Sequence, residues 1–179
     1  MGDEELMKDD AFSVNEQELM DYYKLSGKIG KMKLRMKFMK SWILHSLAYN
    51  FPLSDFSISM QRKRGVKIGK NCHFSSYVLI DLIYPHLVTI EDNVTISHNA
   101  MIFAHINPTA NLFLKNTAYP RKVEKVTIKQ GAVISPGAII TAGVTIGQNS
   151  IISVGSVVAE DIPDNCVVVG NPGRVVKKI

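Results

Sequence analysis

A chain of 179 residues with 46% apolar side chains is long enough for one folded domain with a sizeable core and a modest appendage, which excludes a disordered chain. Its two cysteines, Cys72 and Cys166, form neither a disulfide framework nor a metal-type cluster, and they favour a reducing compartment. The net charge of +5 is uneven: residues 1–23 hold eight acidic side chains against Lys8, and residues 24–64 hold ten basic ones against Asp55, so the basic excess is local and no nucleic-acid partner is expected.

The opening "MGDEELMKDD" is acidic and has no apolar core of a signal peptide. Gly2 invites myristoylation, but Met7 stands where that motif wants Ser or Thr. No apolar run approaches the length of a membrane span, and the expected location is the cytoplasm. Ser13 or Asn15 is placed to cap a short acidic helix through "EQELMDYY". Next, "SGKIGKMKLRMKFMKSWILHSLAYNF" puts Ile29, Met32, Met36, Met39, Ile43 and Leu47 at spacings of three and four, an apolar helical face. Lys28, Lys31, Lys33, Arg35, Lys37 and Lys40 form its basic remainder. Such a stripe is expected to pack, the helix lidding the open end of the next domain; the alternative is a weak contact with the inner membrane surface. Residues 1–64 are thus read as a helical segment and residues 65–179 as a separate domain.

From Ile128 the chain reads "IKQGAV ISPGAI ITAGVT IGQNSI ISVGSV". Each of these hexads begins with Ile, and each fifth position is small: Ala132, Ala138, Val144, Ser150, Ser156. The beat also runs through "IGKNCH FSSYVL" from Ile68 and "IEDNVT ISHNAM IFAHIN" from Ile90. Ile80 opens a further hexad, with a short insertion before Ile90, and Val158 opens the last, twelve in all. Six residues at about 100° each leave successive Ile side chains far apart around an α-helix. A parallel coil accommodates them: each hexad gives a short strand and a corner, three hexads close a triangular turn, and the Ile side chains stack inside.

After "IFAHIN" the next strand is due at residue 108 and comes at Ile128, twenty residues late and in phase. The insertion, read as a loop over 106–125, is either a tolerated surface excursion or an arm walling a cleft against a neighbouring chain. His105 stands in the corner at its base.

The repeated Ile-x-x-Gly-small-x resembles the hexapeptide-repeat acyltransferases. That resemblance implies a mainly β fold, a left-handed parallel β-helix of about four triangular coils, assembled as a homotrimer with sites between subunits. The stretch "VTIEDNVTISHNAMIFAHINP" is similar to the galactoside and maltose O-acetyltransferases and the xenobiotic acetyltransferases, in which the matching residue, His105 here, is the general base. By the same resemblance acetyl-CoA lies in a groove lined by Ser135, Pro136, Val154, Ala159 and Glu160. Arg174 and Lys177 match the cations near the nucleotide phosphates, while Lys178 is either such a contact or simply solvated. Ser75 and Asp81 fall near positions that bind the acceptor sugar. Two departures stand out: Val133 replaces a frequent Trp, and Glu160 a frequent Lys.

An imidazole near neutrality can take the proton of a sugar hydroxyl while the thioester supplies an activated carbonyl, so no metal or enzyme nucleophile is required. A carboxylate or a backbone carbonyl is expected to orient His105. N-acetylation of an amino sugar, nucleotide sugar or xenobiotic is the alternative within the family, and a non-catalytic trimeric scaffold the alternative outside it. A zinc hydratase built on the same coil is disfavoured, because His98 and His105 stand seven residues apart without the close histidine pair that site shows. His98 is read as structural or cleft-lining, and His45, His73 and His86 receive no role.

Overall fold

The computed structural model describes residues 10–179. The acidic start and the Gly2–Met7 motif lie outside the described residues. By compactness, residues 10–40 group with 106–122, and residues 41–105 group with 123–179.

The second unit is a parallel coil with three faces. Each hexad yields a strand of two or three residues ending on its inward aliphatic side chain, as in Val133–Ile134, Ile139–Ile140, Thr145–Ile146 and Ile151–Ile152. Thr145 pairs with Thr127 and Val133 with Ile151, so one turn takes eighteen residues, or three hexads. Across the long insertion Thr89 pairs with Thr127 and Ile96 with Ile134, and the ladder resumes in phase. The insertion before Ile90 is absorbed likewise, since Lys67 pairs with Thr89 and Leu79 with Met101. A slip of one residue would turn every Ile toward water, and this pins the register.

Ile80, Ile90, Ile96, Ile102, Ile128, Ile134, Ile140, Ile146 and Ile152 are each at most 1% exposed. Burying one such side chain contributes about 1.5–3 kcal/mol. The small fifth positions are buried at the corners, where Ser150 Oγ donates to the Pro163 carbonyl (2.7 Å) and accepts from the Cys166 N–H (3.0 Å). The fourth position carries the turn: Gly131, Gly137, Gly143, Asn149 and Gly155 have φ between 55° and 91°. That left-handed region costs most L-residues about 1–2 kcal/mol, which explains Gly and Asn there.

In the same unit, the end of helix α2 (Gly27–Asn50) and helix α3 (Ser54–Arg64) close the first coil. The Phe74 N–H donates to Ser54 Oγ (2.8 Å), the Tyr77 N–H to the Tyr49 carbonyl (2.8 Å), and Ser41 Oγ to the Leu82 carbonyl (2.8 Å). An edge that would otherwise template pairing with another chain is thereby covered. The expected lid is present, but the face that does the packing is not the apolar stripe. Ser41, His45 and Ala48 are buried, whereas Met32, Met36 and Met39 are each 57% exposed. Small and hydrogen-bonding residues allow the close approach that a methionine row would prevent.

At the C-terminal end, strand Cys166–Val169 pairs antiparallel with Arg174–Lys178. A register shift between Val167 and Val168 puts Lys177 opposite Val167 and Arg174 opposite Val169, on one face of the ribbon despite their odd spacing.

In the first unit, helix α1 (Ala11–Tyr22) is capped by Asp10, which accepts from the Phe12 and Ser13 N–H groups. This carboxylate cap precedes the expected Ser13 and Asn15, and Asn15 instead donates to the Thr109 carbonyl at 2.8 Å. The inserted loop contains a short helix α4 (Leu112–Asn116) and is tied to α1 by ion pairs. Glu18 Oε2 receives Lys115 Nζ (2.5 Å) and an Arg121 guanidinium N–H (2.9 Å).

Candidate active site

In hexads with Gly or Asn at the fourth position, the chain turns there in the left-handed region. In "IFAHIN" that position is His105, and the chain runs straight on as strand, leaving the coil. The Glu124 N–H donates to the Ala104 carbonyl (3.0 Å) where the chain returns. The break in the repeat therefore holds an imidazole at a fixed corner, with its side chain 22% exposed.

His105 Nδ1 lies 2.6 Å from Asp81 Oδ2. The same oxygen accepts from the Ala104 N–H (2.8 Å), and Oδ1 accepts from the N–H groups of Ile83 and Tyr84 (2.9 Å each). With backbone donors on both oxygens, the Asp81 carboxylate serves as acceptor to His105, so Nδ1 carries the proton and Nε2 keeps its lone pair. The Tyr84 ring meets the imidazole edge-on at 5.3 Å between centroids and restricts its rotation. Asp81 was expected beside the acceptor; its side chain is fully buried and turned to His105, because the insertion after Ile80 folds back over it through Ile83 and Tyr84.

Beneath this pair sits Arg64, a residue the sequence reading left unassigned. Its guanidinium donates to the carbonyls of Asp81 (2.7 Å) and Ile80 (3.2 Å), to Gln61 Oε1 (2.5 Å) and to Ser41 Oγ (3.2 Å). It also faces His45 Nδ1 at 3.1 Å. Burial lowers the Arg64 pKa to about 10, with the Asp81 charge opposing that fall. His45 is pushed down to about 4, by burial first and the Arg64 charge second. In "SMQRKRG" Arg62 and Lys63 are exposed, and Arg64 alone of the three basic residues is buried.

No family model matches the chain. The galactoside O-acetyltransferase of Escherichia coli (strain K12) is 35% identical over 117 residues, covering 64% of this chain and 54% of that protein. Protein CapG of Staphylococcus aureus is 33% identical over 121 residues, covering 66% of this chain and 69% of that protein. A galactoside acetyltransferase solved in complex with coenzyme A superposes with a TM-score of 0.63 at 27% identity, over 82% of each chain. The chain belongs to the hexapeptide-repeat acyltransferases. It spans about half the length of the E. coli enzyme.

Within this acyltransferase the residues marked by resemblance fall on two edges of the coil. One edge runs through Asp81, Phe103 and Thr141, whose N–H groups donate to Ile102, Ile140 and Val158, and it carries His105, Ala159 and Glu160. A second runs through Ser75, Ser97, Ser135 and Ser153, which donate to Ile96, Ile134, Ile152 and Val168. That edge carries Pro136 and Val154, stacked where the Gly155 N–H donates to the Pro136 carbonyl (3.0 Å). Ser75 thus shares an edge with Ser135, away from His105. Arg174 and Lys177 are exposed on the C-terminal ribbon, and Arg174 approaches Glu160 at 3.8 Å. Among the described residues no group of three His, Cys, Asp or Glu side chains is placed to hold a metal ion.

Proposed function

We propose that this acyltransferase moves the acetyl group of acetyl-CoA to a hydroxyl of a sugar or polysaccharide by direct transfer, with His105 as general base and Asp81 as its positioning residue. The observation that carries the reading is the 2.6 Å contact between His105 Nδ1 and a buried carboxylate, which leaves Nε2 as the one basic nitrogen of the ring. Nε2 takes the hydroxyl proton as the new C–O bond forms. The thioester C–S bond then breaks, and the leaving thiolate recovers that proton from the imidazolium. A backbone N–H beside the thioester stabilises the developing oxyanion. The hydroxyl acceptor rests on the relatives, which include galactoside O-acetyltransferases.

The two-edge distribution supports a homotrimer on a left-handed coil of about four turns. The edge with His105 and the edge with Ser135, Pro136 and Val154 are separate within one chain. A neighbour's second edge laid against the first brings the marked residues into one groove, where Arg174 and Lys177 supply cations for phosphate.

The test is an acceptor screen reading CoA release, with simple glycosides, nucleotide sugars and their amino counterparts. Glycoside hydroxyls are expected to support turnover, and His105→Ala to lower kcat by about 10²–10⁴ with the oligomer intact. Turnover by His105→Ala at the wild-type rate refutes the base assignment, and release only with amino acceptors refutes the O-transfer reading.

A further inference from the structure

We propose that the outward face of α2 docks on an anionic lipid bilayer, the helix lying in the headgroup plane. Ile29, Met32, Met36, Met39, Ile43 and Leu47 are between 46% and 67% exposed along one side of the helix. At 1.5 Å per residue this stripe is about 27 Å long. Leu34, Ser41, His45 and Ala48, all buried, occupy the opposite side, so the stripe is not a core face left half-covered. At about 100° per residue, Lys33, Lys37 and Lys40 project along one flank of the stripe and Lys28, Lys31 and Arg35 along the other.

The helix thus has one side used in folding, made largely of small and hydrogen-bonding residues, and an apolar side that is not. Lys31 (2.8 Å) and Arg35 (3.0 Å) hold Glu16. Lys28, Lys33, Lys37 and Lys40 make no ion pair among the described residues, although the Lys37 ammonium also stands 4.3 Å over the Tyr23 ring. Charge selects the occupant. The same face of a second copy would set basic flank against basic flank in either orientation, whereas anionic headgroups neutralise both flanks while the stripe enters the acyl boundary. Lysine stems suit this, since their alkyl chains lie along apolar surface and their ammonium groups reach the phosphates. Among the described residues no helix is long and apolar enough to cross a membrane, so the contact is in-plane.

Trp42 is the single tryptophan, 61% exposed at the edge of this face, and it reports the contact directly. The full chain is titrated with vesicles of phosphatidylcholine alone and with one-third phosphatidylglycerol. The proposal expects about tenfold or tighter binding to the anionic vesicles, a blue shift of Trp42 emission, and weakening with salt. Met36→Glu with Met39→Glu should abolish the binding while leaving turnover on a soluble acceptor unchanged. Lys33→Gln with Lys37→Gln and Lys40→Gln gives the same reading without disturbing the apolar stripe. Equal or absent binding to the two vesicle types overturns the proposal, as does binding that survives both variants. A wild-type assembly that ignores vesicles and falls apart on the methionine substitutions overturns it in favour of an interface between copies.

Discussion

Asp81 Oδ2 accepts a 2.6 Å hydrogen bond from His105 Nδ1 across 24 residues of sequence, and the coil supplies that juxtaposition. The N–H of Asp81 donates to the Ile102 carbonyl, so the two corners are adjacent rungs of one ladder. Asp81→Asn keeps the shape but presents an amide NH₂ where the site has donors already. The expected result is a fall in kcat of about 10²-fold or more, with the KM for acetyl-CoA within about twofold, because the imidazole loses its fixed tautomer. Steady-state CoA release measures both, and an unaltered kcat removes Asp81 from the mechanism.

Arg64 tests whether the backbone beneath the pair matters. Its planar fork satisfies the carbonyls of Ile80 and Asp81 together, which a lysine ammonium cannot reproduce from the same stem. Arg64→Lys is expected to cost about 2–4 kcal/mol, from buried acceptors left partly unpaired. It should also lower kcat more than it raises either KM, since Asp81 would shift relative to His105. Urea midpoints and steady-state kinetics at neutral pH read the two effects. Loss of stability with full kcat would make Arg64 a structural residue only.

Much of this architecture could be read from the hexads. A period of six with Ile at the first position defeats a helix and suits a three-faced coil, and Ile128, Ile134, Ile140, Ile146 and Ile152 are all buried as that coil requires. His105 was visible beside the in-phase insertion, at a fourth position where most hexads carry Gly or Asn. The role of Asp81 was not visible, because turn-forming aspartates look alike in sequence and its partners come from Ile83, Tyr84 and the next coil. The packing side of α2 was misread for a related reason. Spacing reveals that a face is apolar but not what covers it, and here the covered side is made of Ser41, His45 and Ala48. Arg64 was hidden in a basic run whose other members, Arg62 and Lys63, stay exposed, Arg62 donating to the carbonyls of Ile68 and Gly69.

His45 makes the fold acid-sensitive in a defined window. Arg64 is donor-only, so His45 Nδ1 accepts from it at 3.1 Å and the ring is neutral when folded. Burial, followed by the Arg64 charge, holds its pKa at about 4. In the unfolded chain the ring titrates near about 6.5. Between these values the unfolded state binds more protons, so the contribution is complete above the unfolded pKa and is lost as pH falls through the folded one. The size is about 3 kcal/mol. His45→Gln, whose amide oxygen can still accept from Arg64, should flatten this dependence. Urea midpoints for both proteins at neutral pH and at about pH 4.5 give the comparison. An equal drop in the two proteins rules out His45 as the source.

Glu160 stands where an anion is least useful if phosphate binds nearby. Its carboxylate is 77% exposed, on the same edge as His105, and lies 3.8 Å from the Arg174 guanidinium. An exposed pair at this distance adds little to stability, but the Glu160 charge opposes the positive field that Arg174 offers a nucleotide phosphate. Glu160→Lys removes a repulsion and releases Arg174 at once. Each change is worth about 1 kcal/mol or less in water, so the affinity for coenzyme A should rise about three- to tenfold at low ionic strength. Because the contact is exposed, the gain should fade when salt shortens the Debye length to about 3 Å at 1 M. The kcat should hold, since no atom of Glu160 meets the reacting carbonyl in this reading. Arg174→Gln should move affinity the opposite way and cancel part of the gain when combined. Titration calorimetry with coenzyme A at two salt concentrations decides the matter: an affinity that ignores both substitutions places the phosphates elsewhere on the molecule.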